Sequence, residues 1–482
     1  MGDVQEFERY MDHLSGGLGH ADRHAGLRGN CMGLMAPLKR KSVEPMAAHL
    51  APENTRRRHQ SLHHFVADAP WSDREMLLRV AQWVVPKMDF DDGGWWIIDD
   101  TGFPKQGRHS VGVARQYCGM LGKQDNCQVA VSVSLACESA SLPVAWQLYL
   151  PEEWAGDPER RDKAGVPQPQ GFATKPAMAL AQIEHLIAQG APKHCVLADA
   201  GYGVDTALRE RLSELGLPYV VGVTGQVTVW PPGREPRPAA VQPVAPSGRR
   251  RSSKRLRLGA DDQPQHRPQS IKELAFELAP TQWTEVSWRE GSNFTLRSRF
   301  ARVRVRAAHR DQLREQRRPA EWLLIDWPEG HREPMTYWLS TLPEDMSLER
   351  RVFEGKMRWR TERDHQDLKQ ELGLGQFEGR GWRGFHHHAS LSIAAYGFLM
   401  VQQIAHRSAG GKKKSGHRAS GEQPALATHY KPRGSPAHAA PRAIVHHELA
   451  AALLQPPCSR RAAHPTAMPC CLRVNARLAL TQ

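Results

Sequence analysis

The sequence holds no CxxC pair. Its eight cysteines, Cys31, Cys118, Cys127, Cys137, Cys195, Cys458, Cys470 and Cys471, lack the spacing of a disulfide framework or a metal knuckle. A reducing compartment, the cytoplasm, is therefore expected. The first residues carry Asp3, Glu6 and Glu8 and no apolar segment, so no secretory leader is expected. The longest apolar-looking stretch, residues 391–405, is interrupted by Gln402 and Gln403. It is too short to span a bilayer, reads as a buried helix, and leaves no membrane partner to expect. No internal repeat is visible. Positive charge is in excess: 482 residues carry a net +14, with a pI near 9.6. That balance points to a polyanionic partner, nucleic acid being the commonest, with a merely basic soluble enzyme as the plain alternative. The length suits roughly three domains and a sizeable core without staples.

Residues 1–88 read as helical and polar, broken at Pro70. Ser72 is a candidate N-cap with Glu75 three residues on, the pattern of a capping box. Arg56, Arg57, Arg58 and His59 form a basic knot before it. A small DNA-binding unit and a plain helical cap on the next domain both fit this stretch. The pattern changes at Gly93, where Trp95 to Ile98 form a short apolar run stopped by Asp99 and Asp100. That reads as a buried strand delivering carboxylates at its end. Further strands are expected at residues 110–117, 128–137 and 143–150, then a helix at 175–190. Another apolar run, residues 194–198, ends at Asp199, followed by a helix at 205–215 and a strand at 219–223. The order is that of an α/β fold. Residues 89–225 thus form the first part of a core.

From residue 226 prolines mark a long loop, with a basic run at 248–257 that reads as solvated. Strands are expected at 283–288, 299–307, 322–327 and 336–340, so residues 226–345 read as a β-rich insertion. Within it Arg302, Arg304 and Arg306 alternate with Val303 and Val305, which sets three guanidinium groups on one face of a strand. They could protect a sheet edge or face phosphates. Residues 346–405 are the second part of the core, and residues 406–482 a basic tail expected to be disordered.

The stretch MRWRTERDHQDLKQELGLG reads as one long helix ending at Gly373 or Gly375. Offsets of four and seven residues put Arg358, Glu362 and Lys369 near one line along it. Alone, this is a surface charge ladder or part of a site. Asp100 and Asp199 each stand where a buried strand ends, at the rim where α/β sheets bind ligands. Three convergent carboxylates are a minimal set for hard divalent ions, which can activate a water at a phosphodiester. Each Asp alone is also good turn chemistry.

Taken together, these motifs resemble a DDE transposase of bacterial insertion sequences. In one branch the catalytic Glu lies in the pattern Tyr, two residues, Arg, three residues, Glu, six residues, Lys. Arg358, Glu362 and Lys369 match it, while Gly355 stands at the Tyr position. DDTG supplies the first Asp at Asp100, with Asp99 its neighbour, and LADAGYG the second at Asp199. The block ELGLGQFEGRGWRGFHHHASLSIAAYGFL further resembles the insertion-sequence subgroup numbered 701.

The resemblance implies an α/β, ribonuclease H-like mixed sheet flanked by helices, interrupted by the β-rich insertion and preceded by the helical N-terminal domain. It implies that Asp100, Asp199 and Glu362 bind two Mg²⁺, or Mn²⁺ in their place, to cut transposon-end strands and join them to target DNA. Arg358, Lys369 and Trp359, with Arg302, Arg304 and Arg306, would contact DNA, though a core role suits Trp359 equally. Partners would be the terminal inverted repeats, target DNA and a second copy in a homodimer, in a cytoplasmic, nucleoid-associated protein. An inactive DNA-binding descendant and a nuclease without strand transfer are the rival readings. His386, His387 and His388 point in different directions on a helix and cannot share one ion, so DNA contact or packing is expected of them.

Overall fold

The computed structural model describes residues 2–238, 255–260, 262–290 and 295–412. The basic run at 248–254 and residues 413–482, with Cys458, Cys470 and Cys471, lie outside them. Five helices come first: α1 (Gly2–Ser15), α2 (Arg23–Met35), α3 (Val43–Leu50), α4 (Thr55–Ala67) and α5 (Asp73–Val84). Ser72 caps α5, its side chain accepting from the Glu75 N–H at 3.2 Å.

Next come β1 (Trp95–Pro104), β2 (Ala114–Cys118), β3 (Lys123–Ala136) and β4 (Ser141–Leu148). Helices α6 (Glu152–Ala155), α7 (Pro158–Ala164) and α8 (Lys175–Ala188) lead to β5 (Cys195–Ala198). Then follow α9 (Ala200–Gly203), α10 (Thr206–Glu214) and β6 (Tyr219–Val223). Thr174 and Asp205 cap α8 and α10 by accepting from backbone N–H groups of the first turns.

β1 pairs antiparallel with β3 and parallel with β5, β3 pairs antiparallel with β4, and β5 runs parallel to β6. The resulting order β4-β3-β1-β5-β6, with helices on both faces, is ribonuclease H-like. The central position of β1 explains its composition. Trp95, Trp96, Ile97 and Ile98 are each at most 1 % exposed. Such side chains each contribute about 1.5–3 kcal/mol on burial.

The expected insertion does not stand apart from this sheet. Its strands are β7 (Thr228–Trp230), β8 (Gln269–Ser270), β9 (Thr284–Glu290), β10 (Thr295–Ala307), β11 (Glu321–Trp327) and β12 (Thr336–Ser340), with α11 (Ile271–Glu277) between β8 and β9. β12 pairs antiparallel with β6, so core and insertion share one 12-stranded sheet.

The stretch expected as one helix from Met357 to Gly373 or Gly375 does form one helix, shorter at both ends. α12 (Leu348–Lys356) ends at Met357, and α13 (Trp359–Gln370) begins after Arg358. Gly373, with φ +66°, turns the chain after α13. The last helix, α14 (Trp382–Lys412), packs between the N-terminal helices and the sheet. Tyr10 donates to the Ala394 carbonyl at 2.9 Å, and the Phe7 and Phe398 rings meet edge to face at 5.1 Å. Among the described residues no helix is long and apolar enough to cross a membrane.

Candidate active site

The site forms where the parallel β1–β5 ladder ends, midway along β1 and at the C-terminal end of β5. In their parallel ladder Trp95 stands beside Cys195, Trp96 beside Val196 and Ile97 beside Leu197. Continued two steps past its last pair, the same register would bring Asp99 next to Asp199, and the Asp199 charge acts on the Asp99 carboxyl. Because side chains alternate along a strand, these two carboxylates share a sheet face and Asp100 takes the other.

Contacts identify the Asp99 face. Ser132 stands opposite Asp99 in the β1–β3 ladder, and its hydroxyl lies 3.1 Å from His365 Nε2 on α13. The same helix carries Glu362. One guanidinium joins the two elements: Arg358 Nη1 is 3.4 Å from Asp99 Oδ2, and its Nη2 donates to Glu362 Oε1. Burial, against the pull of Arg358, and the neighbouring Asp199 and Asp100 charges push the Asp99 carboxyl up to about 7. Burial also works against the charge on Arg358, but Asp99, Glu362 and Asp199 more than restore it. Asp199 caps α9, its Oδ1 accepting from the Gly201 N–H at 2.9 Å. Glu362 is the outermost member, with 56 % of its side chain exposed.

Asp100, the expected first carboxylate, turns away from Glu362. Its Oδ2 lies 2.9 Å from Lys175 Nζ, at the start of α8, and accepts from the buried Tyr202 hydroxyl at 3.3 Å. The physical reason is alternation: one residue along a strand exchanges faces. Sequence reasoning took Asp100 as the first carboxylate with Asp99 its neighbour, and did not single out Lys175 or Tyr202. The only sequence signal was the doubled Asp itself.

Among the described residues no three His, Cys, Asp or Glu side chains stand close enough to hold an ion as they are. Arg358 lies between two of the carboxylates instead. The donors nonetheless suit a hard divalent cation: carboxylate oxygens, crowded and partly buried, with a shared need for positive charge.

A family model described as DDE superfamily endonuclease matches residues 13–295, more than half of the chain. The chain belongs to this family. DDE superfamily endonucleases generally use divalent metals. The match takes in Asp99, Asp100 and Asp199 and ends before Glu362. The chain is also 33 % identical, over 193 residues, to a protein of Microchaete diplosiphon named "Probable transposase for insertion sequence element IS701". That similarity covers 40 % of this chain and 47 % of the relative, so the chain spans about half the length of the relative it matches.

The other expected site residues lie around this centre in different settings. Lys369 reaches the end of β1, donating to the Gly102 carbonyl at 2.7 Å, and burial lowers its ammonium to about 8. Trp359 is half-buried and lines a small cavity with Ser139, Asp364 and Tyr396. Arg302 and Arg304 are exposed while Val303 and Val305 are buried, as alternation requires. Their guanidinium groups lie 5.2 and 5.0 Å from the Trp322 ring, joined there by Arg351 of α12 at 4.8 Å. Burial and the Arg302 and Arg304 charges lower Arg351 to about 10. Arg306 is half-buried, opposite Trp230 of β7.

Gly355, at the Tyr position of the motif, is packed in. A Cβ there would lie 3.3 Å from Val220 Cγ1, which leaves no room for a ring in this arrangement. The three adjacent histidines are packing residues. His386 accepts from the Leu148 N–H, His387 lies between the Val66 and Trp71 carbonyls, and His388 bonds the Gly373 carbonyl.

Proposed function

We propose that this endonuclease is a DNA transposase that cuts the ends of an insertion sequence and joins them to target DNA. Asp99, Asp199 and Glu362 would hold the divalent ions, with Asp99 in the role the sequence motif suggests for Asp100. The observation that carries this reading is that Arg358 links Asp99 to Glu362 while the Asp199 charge acts on both Asp99 and Arg358. Mg²⁺, or Mn²⁺ in its place, would supply an activated water and steady the leaving oxygen of a phosphodiester.

The chain's own groups then have distinct tasks. Arg358 balances the carboxylates and, once released from Glu362, can turn to a DNA phosphate. An exposed pair of this kind is worth little, so that release costs little. Arg302 and Arg304, beside Trp322, present charge to a DNA backbone along the same sheet, where phosphate contacts position rather than specify. Lys369, Trp359 and Arg306 lie further from solvent, and we assign them supporting contacts. Two copies would pair the two ends of one element.

The test is incubation with Mg²⁺ and a supercoiled plasmid carrying the element's ends. Joined products that disappear in Asp199→Ala are expected. Nicks without joined products would indicate a nuclease, and binding without cleavage under any divalent ion a silent DNA-binding protein. An Asp199→Ala variant that cuts as well as the wild type overturns the site.

A further inference from the structure

Past the end of β1, a cavity of about 760 Å³ opens between the N-terminal helices and the segment joining α13 to α14. Its cations come from separate parts of the chain: Lys41 before α3, Lys163 on α7, Arg380 on the joining segment and Arg383 in the first turn of α14. We propose that this cavity seats the sugar-phosphate backbone of duplex DNA leaving the carboxylate cluster. The proposal rests on the DNA reading above and adds a surface to it.

Position is the first argument. β1 leads from the cluster to the cavity, and lysines mark the way. Lys369 holds the Gly102 carbonyl, and Lys105, just past the strand, donates to the Phe377 carbonyl at the cavity wall, each at 2.7 Å. Six residues of strand from Asp99 to Lys105 span about 20 Å. That equals roughly six nucleotide steps along one strand of a duplex.

Charge is the second argument. Lys163 and Arg380 are exposed and make no side-chain hydrogen bond or ion pair among the described residues. Arg383 donates only to the Asp68 carbonyl, at 2.9 Å. Three carboxylates also line the cavity, but Arg40 neutralises Glu378, leaving Glu44 and Asp162 against four cations. Lys41 is the inner one, its ammonium on the Leu34 and Ala36 carbonyls.

Backbone is the third. Gly381 follows Arg380, and a Cβ there would meet nothing nearer than the Ala164 carbonyl at 3.6 Å, which leaves the backbone open beside Arg380. The Val111 N–H holds the Arg380 carbonyl at 3.0 Å, which fixes the segment before any ligand arrives. The volume is that of a ligand pocket and cannot enclose a duplex, so one backbone strand enters while the rest lies outside. Contacts of this kind are blind to sequence.

The experiment measures binding of a labelled duplex of about 40 base pairs by fluorescence anisotropy across a salt series, for the wild type and for Lys163→Glu with Arg380→Glu. The double variant is expected to bind at least about 10-fold more weakly, with its salt slope reduced by about two. In parallel, lysine acetylation of the wild type read by mass spectrometry should find Lys163 protected by the duplex. That arm needs no variant, so misfolding of the double variant leaves it decisive. Unchanged affinity and slope in a folded double variant, or acetylation of Lys163 unaffected by DNA, overturns the proposal. Plasmid nicking by the wild type separates the two readings. A wild type that nicks but shows no use of the cavity loses only this inference, and one that neither binds nor nicks loses the transposase reading as well.

Discussion

Asp99 and Asp100 are chemically identical neighbours with opposite surroundings. Asp99 faces α13, shares Arg358 with Glu362 and feels the Asp199 charge. Asp100 faces α8 and is held by Lys175 and the Tyr202 hydroxyl. On the proposed reading, the difference means that sheet face decides which of two adjacent carboxylates serves the site, and a single residue step exchanges the faces.

Exchanging the two carboxylates gives the largest expected effect. Asp99→Asn should lower plasmid cleavage by on the order of 10³-fold. Asp100→Asn, which removes a charge behind the strand, should lower it by about 10-fold or less. Equal losses in both variants would erase the distinction between the faces.

Acid should undermine the Asp99 face from within. Burial holds His365, behind that face, at about 3 and His388 at about 4, both below the ordinary histidine value. The unfolded chain therefore binds more protons than the folded one between those values and about 6.5. Their contribution is fully present above about 6.5 and is lost as pH falls toward about 4 and about 3. Each ring should remove about 1.4 kcal/mol per pH unit in its window. The Asp99 carboxyl, held at about 7, works the other way over the same range and offsets one ring, but His387, also held at about 4, leaves a net loss. Urea midpoints at neutral and mildly acid pH test this. A midpoint that does not fall would mean these rings are not buried neutral.

Gly355→Tyr restores the motif residue but crowds Val220 on the same side of the sheet. It should cost about 1–3 kcal/mol in urea unfolding. A variant as stable as the wild type would show that packing does not explain the glycine. Arg302→Ala should have the smallest effect, reducing the salt slope of DNA binding by about one. An unchanged slope would remove the Trp322 cluster from the DNA surface.

Much of this arrangement was legible in the chain. The apolar run Trp95 to Ile98 marked a central strand because burial on both faces demands continuous hydrophobicity. The Arg358–Glu362–Lys369 spacing marked a helix beside the site. Three things were not legible, for physical reasons. The choice between Asp99 and Asp100 depends on register with a strand some hundred residues away, which no local pattern encodes. The later start of α13, at Trp359 after a turn at Met357 and Arg358, follows no Pro or Gly at those positions. The union of insertion and core rests on β12 pairing with β6, a long-range contact between segments that read as separate units. The histidine triplet was ambiguous for a related reason: its role lies in carbonyls of distant turns, at Val66, Trp71 and Gly373.

The most direct test of the central claim is the anomalous diffraction of Mn²⁺ soaked into crystals of the wild-type protein. The account predicts density at coordinating distance from oxygens of Asp99 and Asp199, on the α13 face, with Arg358 withdrawn from Glu362. Density bound to Asp100 in the place of Lys175, with Asp99 left on Arg358, would contradict it.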